Sequence, residues 1–504
     1  MTDAHIAPTQ SLRALLAGLT SAAIADVEVT DLSLDSRRMR AGGAFFALPG
    51  TRAHGLAYAN QAIANGATVV LWEPAMGVVV PTFPAHVTAL AIPSLTTLLG
   101  TIADRFFGEP SKSVSIAAVT GTNGKTTSAY VIAQAFANLG RTAAYAGTLG
   151  YGPVGAIKSG THTTPDAVTV QRQLAELREG GCEHLGMEVS SHALDQHRVA
   201  GVRFHTALFT NLTHDHLDYH GTFEAYGAAK ARLFDGPELR HAVINVDDAF
   251  GRTLAFGRHH DALLTAVSSR AQPDASGPGL RSVFAERITA TATGLQIKVN
   301  GSWGAGILNS RFIGAFNVDN VLGALGVLLG YDVPLAEAID ALERCAPPPG
   351  RMETFSASAM PLAVVDYAHT PDALEKALAA VRRHCAGKLT CVFGCGGDRD
   401  AAKRPVMGAI AERLADRVIV TDDNPRTEDG DAIVADILNG MKSADRVLIE
   451  RDRAVAIERA IREAGANDAV LIAGKGHEDY QIVGLVSRYF SDRDVVNAVL
   501  RGRA

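Results

Sequence analysis

The sequence predicts an α/β protein of three domains, with parallel sheets in the second and third. Three observations lead there. At 504 residues the chain is too long for one core, and about 150 residues per domain gives about three domains. Apolar strand-like runs alternate with helical patterns, as they do when helices cover the faces of a parallel sheet. Polar residues crowd directly after those runs, at the carboxyl edge where open parallel sheets bind ligands.

The first block, 1–108, holds short apolar runs such as Ala44 to Leu48 and Thr68 to Trp72, and ends where Gly108-Glu109-Pro110-Ser111 breaks a helical stretch. The second, 109–346, has runs at Val114 to Val119, His184 to Val189, Ala207 to Asn211 and Ala242 to Val246. Residues 268–282, rich in Ser, Gly and Pro, are expected to form a surface loop. Pro347-Pro348-Pro349-Gly350 reads as a turn or linker and opens the third block, 347–504. Its runs are Ala363 to Val365, Leu389 to Phe393, Val418 to Thr421 and Val470 to Ala473.

Composition narrows the function. Hydrophobic residues at 47% and charged residues at 20% fit a soluble globular protein. A net charge of -6 with no long basic run predicts no nucleic-acid partner and no attraction to anionic membranes. No apolar stretch reaches membrane-spanning length and Met1 to Ser11 lacks a signal-peptide pattern, so a cytoplasmic protein without membrane insertion is expected; a monomer is expected as well, although nothing in the sequence fixes it. Five scattered cysteines suit reduced thiols, with Cys391 and Cys395 read as buried strand residues.

Thr120 to Thr127 read T-G-T-N-G-K-T-T between a strand and a helical stretch. Val119 stands where a full P-loop has another glycine, so the motif is a shortened variant. Gly121 and Gly124 let the backbone turn N–H groups toward an anion, with Thr122 and Asn123 between them. The helix start adds a favourable dipole, Lys125 a mobile charge, and Thr126 a hydroxyl for magnesium. A plain Gly-Thr-Asn-Gly turn explains the glycines but not Lys125, Thr126 and Thr127 in order.

Glu188 and His216 follow two of the runs and suit a magnesium shell, although a zinc site or a hydrogen-bonded loop fits the same spacing. Lys230 lies in a helical stretch, where a lysine is by default a solvated surface charge. Asp366, in D-Y-A-H-T-P, suits either ordering of water or metal near a terminal phosphate or a helix-capping turn. In Asp423-Asn424-Pro425-Arg426, proline fixes the turn, arginine offers a fork for a carboxylate and Asp423 accepts from an ammonium, a combination suited to an amino acid. Arg399 and Glu478 come from other strand ends and either converge there or form surface ion pairs.

The ensemble resembles the Mur ligases of peptidoglycan synthesis over nearly the whole chain. The matching pieces are T-G-T-N-G-K-T-T at 120, T-T-P-D at 163, M-E-V-S-S-H-A-L at 187, D-H-L-D-Y-H-G at 215 and A-A-K-A-R-L-F at 228. They continue with G-x-F-N-x-x-N at 314, G-R-M-E at 350, D-Y-A-H-T-P-D at 366 and D-N-P-R at 423. The resemblance implies a UDP-binding α/β domain, a central P-loop ATPase-like parallel-sheet domain and a C-terminal Rossmann-like domain. It further implies ATP-driven amide formation through an acyl phosphate, with Mg2+. Lys125 would offset phosphoryl charge.

By the same resemblance, Lys230 reacts with carbon dioxide to give a carbamate that is a ligand for a second magnesium, with Glu188 and His216 also metal ligands and Thr126 the magnesium ligand of the loop. This reverses the surface-lysine default. Asn317, Asn320 and Arg351 look like ATP contacts, with Asp366 near the phosphates. Leu34 and Ser36 in L-D-S-R, with Thr51, Arg52 and Ala53, look like the uridine grip. Thr163, Thr164, Ser190, Gln196 and Arg198 look like contacts to the muramoyl peptide. The implied acceptor is UDP-N-acetylmuramoyl-L-Ala-D-Glu. One departure is His54-Gly55, where family members commonly carry Asp-Gly. D-N-P-R resembles the branch that adds meso-diaminopimelate, whose second carboxylate would meet Arg426 and Arg399 while its ammonium meets Glu478, beside Gly474. Folylpolyglutamate synthetase shares the ligase plan, but D-N-P-R and L-D-S-R oppose it. A nucleotide-driven switch is opposed by the absence of a guanine-specifying N-K-x-D and of a full P-loop.

Overall fold

The computed structural model describes residues 8–50, 53–160, 162–236, 238–257, 261–273, 279–291 and 294–502. The chain forms two compact units. One comprises Met1–Lys125, Gly140–Ile244 and Asp248–Leu264, the other Thr126–Leu139, Asn245–Asp247 and Thr265–Ala504. The fold is α/β, with a predominantly parallel sheet in each of the first and third sequence blocks and a parallel strand array around the phosphate loop.

In the first unit, strands Leu32–Ser33, Gly43–Ala47, Ala67–Trp72 and Thr88–Ala91 lie side by side, all parallel. Alternation along the chain sends Phe46 and Leu71 into a cluster with Leu15, Leu99 and Phe106, and Phe45 and Val70 into another with Leu56 and Ala62. Both faces are covered, so the runs read as continuously apolar. Helix Leu95–Phe106 ends just before the expected Gly-Glu-Pro break.

Further along, strand Ser115–Thr120 pairs in parallel with His184–Glu188 on one side and Thr206–Phe209 on the other. His241–Asn245 extends the array beyond Thr206–Phe209, and Ala143–Gly147 beyond His184–Glu188. The glycine loop after Thr120 therefore leaves a central strand, and the segments after Glu188 and Phe209 leave its neighbours on the same edge.

The second unit departs from the sequence reading at one place. Leu280–Thr291, Gly294–Gly301 and Gly306–Ser310 form an antiparallel meander, so the segment expected as a loop over 268–282 is flanked by strands that take up both of its ends. Period-two alternation in residues 280–310 carries that signal, but the parallel βα pattern on either side of it is stronger. The C-terminal sheet runs Glu353–Phe355, Leu362–Asp366, Ala469–Ala473, Leu389–Phe393, Arg417–Val420, Leu448–Ile449, parallel except for the first. Leu378, Met407 and Ile437 pack on one face, and Ile457, Ile461 and Val496 on the other. All five cysteines are free, and burial pushes the Cys391 and Cys395 thiols up to about 12. Among the described residues no helix is long and apolar enough to cross a membrane.

Candidate functional site

The loop after Thr120 is shaped by its neighbours. A Cβ on Gly121 would collide with Thr210 Oγ1, and its φ of +147° suits only glycine, so the backbone passes where no side chain fits. Thr122 N donates to Asn211 O at 2.8 Å, Asn123 N to Asn211 Oδ1 at 3.0 Å, and Thr210 Oγ1 to Asn123 O at 2.6 Å. Helix Lys125–Asn138 begins at once. Lys125 Nζ folds back onto Gly121 O and Thr122 O, both at 2.9 Å. Thr120 Oγ1 is buried without a hydrogen-bond partner among the described residues. Thr126 is buried and Thr127 half-buried on the first helical turn.

Lys230 is 1% exposed, which removes the solvated-surface reading. Its Nζ donates to the same Gly121 O at 2.9 Å and lies 4.4 Å from the centroid of Tyr226, whose hydroxyl is 3.0 Å from Thr122 Oγ1. Burial drives its pKa well below the ordinary lysine value, and the Lys125 charge adds to that. The neutral amine is the form that reacts with carbon dioxide.

Glu188 pairs with Val119 in the ladder and is 1% exposed. Its carboxylate accepts from Thr148 N at 2.9 Å, Thr148 Oγ1 at 3.2 Å and the Tyr145 hydroxyl. Thr148 Oγ1 reaches Thr163 Oγ1 at 3.0 Å, Thr164 Oγ1 donates to Glu188 O at 2.9 Å, and Ser190 N donates to Thr164 Oγ1 at 3.2 Å. His216, at φ +53°, packs its ring 4.8 Å from His192 and 6.2 Å from Tyr226. Burial lowers the pKa of His192 and of His220, whose Nε2 is 3.0 Å from Ser191 Oγ. Among the described residues no group of three or more His, Cys, Asp and Glu is arranged to hold a metal.

A cavity of about 390 Å³ is lined by Leu34, Leu48, Pro49, Thr96, Leu99, His162, Asp166, Ala167, Gln196, His197 and Arg198. It brings together the expected Leu34, Gln196 and Arg198. Arg198 donates to Gln196 Oε1 and to Thr164 O, so these contacts brace one another. Ser36 instead bonds Gln61 Oε1 at 2.8 Å, and Ala53 is exposed. Thr51 and Arg52 lie outside the described residues. His54 caps the short helix Gly55–Tyr58 by accepting from Leu56 N, and its Nε2 sits 2.9 Å from Glu73 O. An N-cap is a role that aspartate also fills, which explains how His-Gly stands in for Asp-Gly. His162 and Thr96 escaped the sequence reading because neither belongs to a pattern.

In the second unit, Asn320 Nδ2 donates to Asn317 Oδ1 at 2.8 Å, Asn317 Nδ2 to Ile313 O at 2.8 Å, and Ser128 Oγ to Asn320 Oδ1 at 3.3 Å. Asn320 thus links helix Phe316–Gly330 to helix Lys125–Asn138, and Asn317 braces it from the same helix. Asp366 is half-buried and accepts from Met352 N at 2.8 Å; burial raises its pKa while Arg351 opposes the rise. Thr370, not Asp366, caps helix Pro371–Arg382, which removes the capping alternative.

Asp423, Asn424 and Glu478 converge on Lys475, while the Arg426 side chain is held at Gly397. Asn424 Nδ2 donates to Glu478 Oε2 at 3.1 Å, and Arg426 Nη1 donates to Gly397 O at 2.7 Å across the turn that Pro425 closes. A Cβ on Gly396 would lie 3.0 Å from Arg426 Nη1 and 3.8 Å from Arg399 Cγ, so the two arginines flank one glycine. Gly474 N donates to Asp366 O at 3.1 Å. Lys475, which the sequence reading passed over inside A-G-K-G-H-E, is fully buried, with Nζ 3.2 Å from Asn424 Oδ1, 3.4 Å from Glu478 Oε2 and 3.9 Å from Asp423 Oδ1. Burial raises the Asp423 pKa, against Arg453 and Lys475. Asp423 and Glu478 thus share the buried Lys475 as a common cation.

Fold and site define a nucleotide-dependent ligase class, and family models agree. The Mur ligase family catalytic domain matches residues 28–107, the Mur ligase middle domain 119–328 and the Mur ligase glutamate ligase domain 350–476. The chain belongs to the Mur ligase family. It is 50% identical over 479 residues, 95% of each chain, to UDP-N-acetylmuramoyl-L-alanyl-D-glutamate--2,6-diaminopimelate ligase of Xanthomonas oryzae pv. oryzae. The protein of the same name from Pseudomonas aeruginosa is 48% identical, covering 93% of this chain and 94% of its own. A solved structure of a ligase of that name superposes with a TM-score of 0.73 at 35% identity, covering 98% of this chain and 99% of the other.

Proposed function

We propose that the chain joins meso-diaminopimelate to the D-glutamyl carboxylate of UDP-N-acetylmuramoyl-L-Ala-D-Glu at the expense of ATP, in the cytoplasmic synthesis of peptidoglycan precursors. The observation that carries this reading is that Asp423 and Glu478 gather around Lys475 while Arg426, three residues after Asp423, sends its guanidinium to Gly397 O. An acid pair for an ammonium beside an arginine for a carboxylate matches the second head of diaminopimelate, and lysine lacks that carboxylate. The names of relatives about half identical over nearly the full length support the same substrates.

In this reading the glutamyl carboxylate attacks the γ-phosphate of ATP, giving an acyl phosphate and ADP. Lys125 turns from the loop carbonyls to the phosphoryl oxygens, while Gly121 to Thr127 cradle the phosphates. The free amine of diaminopimelate then attacks the activated carbonyl, and the tetrahedral intermediate expels phosphate to leave an amide. Magnesium would offset the phosphoryl charge, held by Thr126, Glu188, His216 and the carbamate of Lys230. That carbamate forms when the buried neutral amine adds carbon dioxide and releases a proton, and the environment of Lys230 favours the amine form. Asn317, Asn320, Arg351 and Asp366 are assigned to the nucleotide side. Leu34, Ser36, Thr51, Arg52 and Ala53 are assigned to the uridine end, and Thr163, Thr164, Ser190, Gln196 and Arg198 to the peptide. The domains are assigned as 1–108, 109–346 and 347–504, in line with the spans of the three family matches.

The test is phosphate release with ATP and the UDP-muramoyl dipeptide, comparing diaminopimelate, lysine and glutamate as amine. Release that depends on both the dipeptide and diaminopimelate supports the reading; release without either marks a simple ATPase.

A further inference from the structure

Tyr367 stands between two turns that the proposed function gives to different substrates. The guanidinium carbon of Arg351 lies 4.7 Å from the centroid of its ring. Its hydroxyl donates to Glu478 Oε1 at 3.4 Å. The ring of His477 is 5.2 Å away. One aromatic side chain therefore touches the arginine assigned to the nucleotide and the acid assigned to the amine.

The backbones beneath it are equally close. A Cβ on Gly350 would collide with the carbonyl carbon of Gly476, and one on Gly476 would lie 2.7 Å from both Gly350 O and Tyr367 Cβ. Both glycines sit at positive φ, +65° and +54°, so these turns pack main chain against main chain. Asp366 accepts from Met352 N at 2.8 Å, and its carbonyl accepts from Gly474 N at 3.1 Å, so the residue before Tyr367 is bonded to both turns. A close-packed contact of this kind transmits displacement rather than absorbing it. Arg351 Nε is buried without a hydrogen-bond partner among the described residues, a donor still to be engaged.

We propose that Tyr367 is a positioning residue that couples the two turns: when a nucleotide engages Arg351, the ring beneath it is fixed and holds Glu478 in place for the ammonium of the incoming amino acid. The coupling is reciprocal, since any tightening of the amine by the nucleotide must be matched by tightening of the nucleotide by the amine. Burial and the nearby Glu478 charge hold the tyrosine hydroxyl up at about 12, so it remains a donor across the working range. This inference rests on the assignment of Arg351 to the nucleotide and Glu478 to the amine.

The experiment is calorimetric titration of the full-length protein with diaminopimelate, with and without saturating ADP, for the wild type, Tyr367→Phe and Tyr367→Leu. The wild type should bind diaminopimelate at least about fivefold more tightly with ADP present, the lower end of ordinary coupling. Tyr367→Phe keeps the ring under Arg351 but loses the hydroxyl; it should lose most of that factor while ADP affinity measured alone changes less than about twofold. Tyr367→Leu should bring the factor to about one. A wild-type factor of one, or a Tyr367→Phe factor equal to that of the wild type, overturns the inference and leaves the function standing. Should Tyr367→Leu fail to fold, Tyr367→Phe decides alone. A wild type that neither binds nor consumes diaminopimelate overturns the functional reading and this inference with it.

Discussion

Replacing Arg426 by alanine tests the amine pocket most sharply. The residue sits at φ +50°, so an unbranched replacement is needed to avoid adding backbone strain. Among the described residues its side chain makes one hydrogen bond, to Gly397 O at 2.7 Å, which aims the guanidinium fork. Hydrogen bonds to charged groups contribute about 1.5–3 kcal/mol each and the two of a bidentate grip are less than additive, so losing the grip on the distal carboxylate should cost about 2–4 kcal/mol. At about 1.4 kcal/mol per tenfold, kcat/KM for diaminopimelate should fall about 30-fold to 700-fold. The KM for ATP should stay within about twofold, and the preference for diaminopimelate over lysine should collapse. Steady-state phosphate release with each substrate varied in turn measures all three. Equal damage to the amine and ATP requirements, or an unchanged diaminopimelate-to-lysine ratio, would refute the assignment.

Three further outcomes are expected. Lys230→Ala should lose at least about 100-fold in kcat, with no recovery on adding bicarbonate but partial recovery with a short organic acid; unchanged turnover would return Lys230 to a packing role. Gly121→Ala should raise the ATP requirement at least about tenfold, because the added Cβ meets Thr210 Oγ1, while the UDP-substrate requirement stays within about twofold. His477 is held by burial at about 4 against an ordinary 6.5, so the unfolded chain takes up its proton first as the pH falls. Its contribution to stability is complete above about 6.5 and lost on the way down to about 4, so thermal midpoints should fall over that window and fall less in His477→Gln.

Much of the site was legible because its chemistry is local in sequence. A phosphate loop needs its glycines, lysine and threonine within a few residues, and D-N-P-R packs a turn and a charged fork into four. The parallel strands were legible for a related reason: residues such as Val69, Val70 and Leu71 are buried on both faces of a sheet and so read as unbroken apolar runs. What escaped depends on distant segments meeting. Lys230 looks like any helix lysine until the helix is laid against Gly121 O. Lys475 and Tyr367 matter because of groups that come from other turns of the chain, Asn424 and Asp423 for the first and Arg351 for the second. The meander over 280–310 is antiparallel in a chain whose other runs argue for parallel sheets.

The account turns on one chemical event, transfer of the γ-phosphoryl group to the glutamyl carboxylate before the amide forms. UDP-N-acetylmuramoyl-L-Ala-D-Glu labelled with 18O in that carboxylate, incubated with ATP, magnesium and diaminopimelate, tests it directly by mass spectrometry. One labelled oxygen per turnover should appear in inorganic phosphate, with the other retained in an amide product heavier by one diaminopimelate residue. Unlabelled phosphate, or ATP consumed with no such product, would contradict the account.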